Sequence, residues 1–232
     1  LIAALGVHYD GDPRLGALQI GLLGFWGEWH TYPHTEYFAS LETQNAILNA
    51  AHEAFETTSL QVRYPKADSV GLRIGFHDDS FGYSTLGDVG WFFWPSMEAA
   101  GADSRWQEVM MGGEVRPELQ GIIFEDSYTP AEYAQDLQAC VDTTHASYLL
   151  NYKAFSENGI GYSGDELAKA KEASLKMGYS FDITGATLHL SNMHEGLVEA
   201  QVDLTISQAG VAPFYYPVFA ALDSADGESL AW

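Results

Sequence analysis

A single cysteine, Cys140, is present in 232 residues, so an intramolecular disulfide framework is excluded. Basic residues are nearly as scarce. Ten Lys and Arg face 32 Asp and Glu, a formal charge of −22, and no Lys/Arg cluster relieves it. Such a polyanion repels a nucleic acid backbone and an anionic membrane surface. No run approaches the about 18–20 consecutive apolar residues of a membrane span. No Walker-type loop is found, and no Gly-x-Gly-x-x-Gly directly follows a predicted strand: Gly159-Ile160-Gly161-Tyr162-Ser163-Gly164 begins nine residues beyond Leu150, away from the strand-to-helix turn that a phosphate cradle needs.

What is present is apolar and aromatic residue: 47% and 13% of the chain, enough to bury a sizeable core. Ala17 to Trp26 is a nearly continuous apolar run, as a parallel strand buried on both faces would be. A helical stripe near 36–56 follows, with Leu41, Leu48 and Phe55 seven residues apart. Further strands are expected at Leu60–Tyr64, Val70–Phe76, Val109–Glu114 and Ala146–Leu150. Thr129-Pro130 reads as a helix start, and another helix runs from Asp165 toward Gly178. Strand–helix alternation at this spacing predicts an α/β fold with a parallel sheet. The expectation is the C-terminal part of a (β/α)8 barrel, about strands 4 to 8, over residues 1–178.

The tail changes period. From Leu197 to Ser207 apolar and polar residues alternate strictly, the mark of a strand with one wet face. Thr187–Leu190 and Pro217–Leu222 are partial neighbours. Residues 179–232 are therefore expected to begin an antiparallel β-sandwich. The chain opens on Leu1-Ile2-Ala3-Ala4-Leu5-Gly6 without an initiator Met, which reads as entry partway through a barrel.

In a parallel barrel the side chains at the C-terminal ends of strands point into the active-site mouth. Those positions hold Trp26-Gly27-Glu28-Trp29-His30, Arg63, His77-Asp78-Asp79, Glu114 and Asn151. Glu28, between two tryptophans, is expected to have its charged form desolvated, as suits a general acid. Arg116, two residues beyond Glu114, is expected to keep that carboxyl ionised. Trp26 and Trp29 offer flat faces for sugar rings. His30, Arg63, His77, Asp78, Asp79 and Asn151 offer hydrogen bonds to hydroxyls.

Trp26-Gly27-Glu28-Trp29-His30, Gly75-Phe76-His77-Asp78-Asp79-Ser80 and Gly112-Gly113-Glu114-Val115 resemble an uncharacterised bacterial family of glycosidase-like barrels with a C-terminal β-sandwich. The resemblance implies the large retaining-glycosidase clan, with Glu28 as acid/base and Glu114 as nucleophile. Gly27 stands where that clan usually has Asn. It also implies a carbohydrate substrate, no cofactor, and export to the periplasm or beyond. Retention requires carboxyls about 5–5.5 Å apart, inversion about 6.5–9.5 Å. Two other readings stay open: a non-catalytic carbohydrate-binding barrel, and a metal-dependent hydrolase using His30, His77, Asp78 and Asp79. The His-x-x-x-His spacing at His30 and His34 gives the second little support, because Pro33 between them disfavours the helix that would set both imidazoles on one face.

Overall fold

The computed structural model describes residues 1–155, 161–194, 197–223 and 229–231. Five short strands form one parallel sheet in sequence order: β1 (Ala17–Gln19), β2 (Ser59–Val62), β3 (Ile74–Phe81), β4 (Gly112–Val115) and β5 (Tyr148–Leu150). Helix α1 (Ile2–Tyr9) precedes β1, the connections carry α2 (Leu41–Ala54), α3 (Phe93–Ala99), α4 (Pro117–Gln120) and α5 (Leu137–Thr144), and α6 (Gly164–Lys176) follows β5.

Parallel register puts paired residues on the same face. Gln19 is level with Gln61, Gln61 with Gly75, His77 with Gly112, and Gly112 with Tyr148. With alternation along each strand, one face carries Gln19, Gln61, Arg63, His77, Asp79, Glu114 and Tyr148. The other carries Leu60, Val62, Ile74 and Phe76, each at most 1% exposed. Leu48 and Ala51 of α2 and Phe93 and Met97 of α3 pack with them in one core. The apolar face is thus the helix-covered face, and the polar face is the inner one.

The sheet is curled into half a barrel. Across a flat sheet the outer strands would stand about 19 Å apart, four spacings of about 4.8 Å. Yet Gln19 Nε2 on β1 donates to Tyr148 Oη on β5 across 2.9 Å, and that hydroxyl donates to Gln61 Oε1 across 2.5 Å. Only strong curvature brings these side chains together. Gly112 allows it: a Cβ there would lie 2.3 Å from the Tyr148 ring.

The expectation of a (β/α)8 barrel leading into a β-sandwich is corrected. The five parallel strands do not close. Beyond them β6 (Phe181–His194) and β7 (Leu197–Gln208) pair antiparallel as a ribbon, and β8 (Leu222–Asp223) pairs with β9 (Ser229–Ala231). Among the described residues no second sheet faces the ribbon. Alternation correctly marks β7, but its apolar side is open: Leu188, Val202, Leu204 and Ile206 are exposed. A period of two identifies a strand and says nothing about what covers it.

Other boundaries shift for local reasons. β1 ends at Gln19 because Gly24 and Gly27 take positive φ, +84° and +80°, and turn the apolar run back as a loop. α2 begins at Leu41, where the Ser40 hydroxyl accepts the Thr43 N–H. α5 begins at Leu137 under an Asp136 cap, seven residues after Pro130.

The segment after β7 passes beneath the N-terminal ends of the strands. Tyr216 Oη accepts from Ser59 N and donates to Gly16 O, Tyr215 Oη donates to Trp106 O, and Ala212 N donates to Gly178 O. A cavity of about 850 Å³ opens there, lined in part by Trp106, His145 and Phe214.

Candidate active site

At the opposite end, the loop after β1 folds down over the concave face. Phe25 N and His30 O close it, and the Trp29 indole plugs it into the core, 1% exposed with Nε1 donating to Ile20 O. Trp26, at φ +53°, projects the other way and is 83% exposed. The two tryptophans therefore do not enclose Glu28, and the expected desolvating indole box is absent.

Glu28 meets cations and donors instead. Its Oε2 accepts from Arg63 Nη1 at 2.5 Å and lies 3.1 Å from His30 Nε2. His30 Nδ1 accepts the Tyr32 N–H, which leaves Nε2 as the protonated nitrogen, donating to Glu28. Arg63 follows β2, and its Nε stands 2.9 Å from Asp79 Oδ2 of β3. Asp79 Oδ1 lies 2.7 Å from His77 Nδ1. Asp79 Oδ2 is buried and takes no hydrogen bond from a described residue, so Arg63 holds it as an ion pair only. One chain of charges thus crosses the sheet: His77, Asp79, Arg63, Glu28, His30.

Glu114 of β4 is half-buried in the same cluster. Burial lifts its carboxyl above the ordinary Glu value, and the charges of Asp79 and then Glu28 lift it further, while His77 and Arg63 oppose them. Arg116 is not its partner: that guanidinium pairs with Glu118 at 2.8 Å and lies 3.7 Å over the Tyr83 ring. Burial thus acts on the Glu114 carboxyl without a guanidinium partner from Arg116.

Two expected site residues stand elsewhere. Asp78 points to the helix side of β3, where its carboxylate accepts from Ser80 N at 2.9 Å and Thr85 Oγ1 at 2.7 Å. Burial pushes its pKa up to about 6. Asn151 donates to Tyr162 Oη at 3.0 Å, and that hydroxyl donates to Gln120 O. Both residues hold loops. Gln19, Gln61 and Tyr148, which floor the site, went unnoticed; their shared strand parity with Arg63 and Glu114 was the available signal.

Arg63 occupies the position between Glu28 and Asp79 that a cation would take. Among the described residues no three His, Cys, Asp or Glu side chains converge to hold a metal ion. Nor is any helix among them long and apolar enough to cross a membrane. No family model, curated protein or solved structure matches this chain.

Proposed function

We propose that this chain carries the active site of a glycoside hydrolase acting on an oligo- or polysaccharide. The observation that carries the reading is that Arg63, paired with Glu28 at 2.5 Å and with Asp79 at 2.9 Å, draws Glu28 onto the concave face that also carries Glu114. Burial acts on Glu114; Glu28 is held by a guanidinium and an imidazole. Carboxyl pairs whose surroundings differ in this way divide into a proton donor and an anion. The motif resemblance to glycosidase-like barrels supports the same class.

On this reading the roles run in the reverse of the order the resemblance implies. Glu114, whose pKa burial raises, gives its proton to the leaving glycosidic oxygen. Glu28 attacks the anomeric carbon, and Arg63 and His30 fix the carboxylate through Oε2 so that Oε1 faces the sugar. Glu114, now ionised, then takes a proton from the water that releases the sugar from Glu28. Trp26, exposed beside His30 with ring centres 6.3 Å apart, supplies a face on which a sugar ring stacks.

The test is hydrolysis of an aryl glycoside panel by the wild type, Glu28→Gln and Glu114→Gln. Glu28→Gln is expected to abolish turnover. Glu114→Gln is expected to spare substrates with good leaving groups and to lose those with poor ones. Equal activity in all three proteins would overturn the reading. Sugar binding without turnover in the wild type would replace it with a binding module.

A further inference from the structure

We infer that the sugar bound beside Glu28 and Glu114 carries no negative charge: the site takes neutral or amino sugars and turns away uronates and sulfated sugars. This rests on the hydrolase reading and adds the substrate class.

The balance of charge at this one place decides which sugar is accepted. Recognition of an acidic sugar needs an uncommitted cation, usually a guanidinium or ammonium that can form a charge-assisted pair. Arg63 is at the centre of the site, but it already serves Glu28 at 2.5 Å and Asp79 at 2.9 Å. Lys66, on the same strand-end loop, donates to Trp29 O at 3.1 Å and lies 5.0 Å from the Tyr64 ring centre. Burial disfavours its charge, and Arg63 does so further.

On the other side of the balance, Asp79 and Glu28 are the two charges that act most strongly on Glu114, and the opposing charges of His77 and Arg63 act on it more weakly. Asp79 Oδ2 is a buried acceptor without a hydrogen bond among the described residues. The surplus is of acceptors, and a ligand complements it with donors, either hydroxyl or ammonium. A carboxylate at C6 of the sugar would enter a field already negative. Like charges juxtaposed in a binding site cost several kcal/mol. The chain's charge of −22 acts in the same direction on approach.

The experiment uses matched aryl glycosides that differ only at C6, hydroxymethyl against carboxylate, in the gluco and galacto series. Wild-type chain is expected to cleave the neutral member with kcat/KM higher by about 100-fold or more. Asp79→Asn is expected to narrow that ratio. Binding of neutral, amino-bearing and uronate oligosaccharides, followed by tryptophan fluorescence at low salt, gives a second readout independent of turnover. A uronate cleaved or bound as well as its neutral counterpart overturns this inference and leaves the hydrolase reading standing. Failure to cleave or bind any member overturns both.

Discussion

Arg63 Nη1 donates to Glu28 Oε2, joining residues 35 apart in the chain and two different strand ends. The same guanidinium neutralises Asp79, whose side chain is 7% exposed. Its loss strands a buried carboxylate, which is more costly than never having buried one.

Arg63→Ala is therefore expected to lower stability by about 3 kcal/mol, seen as a drop in the urea midpoint at neutral pH. Arg63→Lys keeps one charge but loses the two-sided fork, and should fall between. Equal midpoints for all three proteins would show that the ion pairs contribute nothing to the fold.

Glu114 supplies a pH signature. In its proposed role as proton donor it is active while protonated, so kcat/KM is expected to fall as pH rises through its pKa. That limb is expected above the ordinary Glu value of 4.5. Asp79 is the largest charge raising it. Asp79→Asn should then move the limb toward lower pH, while Arg63→Lys leaves a cation in place and moves it less. A limb unmoved by Asp79→Asn would detach Glu114 from the proton transfer.

Asp78 affects stability rather than turnover. Folded, it titrates near 6 against an ordinary 3.8, so the native state holds this proton more tightly than the unfolded chain. Its contribution is fully present below about pH 4 and is lost as pH rises through 6, in all about 3 kcal/mol for a shift of about two units. Asp78→Asn, which cannot ionise, should lose less stability than wild type between pH ~4 and ~8. Denaturant midpoints at the two pH values decide it.

Trp26 combines an exposed ring with a left-handed backbone, φ +53°. Such strain costs about 1–3 kcal/mol and persists where the site uses it. Trp26→Gly is expected to raise Tm slightly while KM for the sugar rises about 10-fold, the worth of a stacked aromatic pair. An unchanged KM would remove Trp26 from the substrate path.

Much of this was legible in the chain. Apolar runs separated by a helical stripe mark the parallel strands, and their ends mark Glu28, Arg63, His77, Asp79 and Glu114. The same period of two places Asp78 and Asn151 opposite their neighbours, a reading that grouping by motif obscured. The fate of the two tryptophans was not legible. Positive φ at Trp26 and Trp29 breaks the alternation that would tell inward from outward. Nor could the sequence show that Arg63 turns to Glu28 rather than to Glu114, since that depends on how the loop after β1 folds back. The ribbon of β6 and β7 shows the limit for the tail: alternation specifies a face and not the layer opposite it.

The Tyr148 hydroxyl joins the first and last strands of an open sheet, linking Gln19 to Gln61 on the face that carries Glu114. It works as a clasp across a trough whose sides have no covalent tie at that depth. Undo it, as in Tyr148→Phe, and the rims are free to part. If the proposed hydrolase reading holds, the trough would then admit thicker, branched sugar chains, their girth limited by one phenol oxygen.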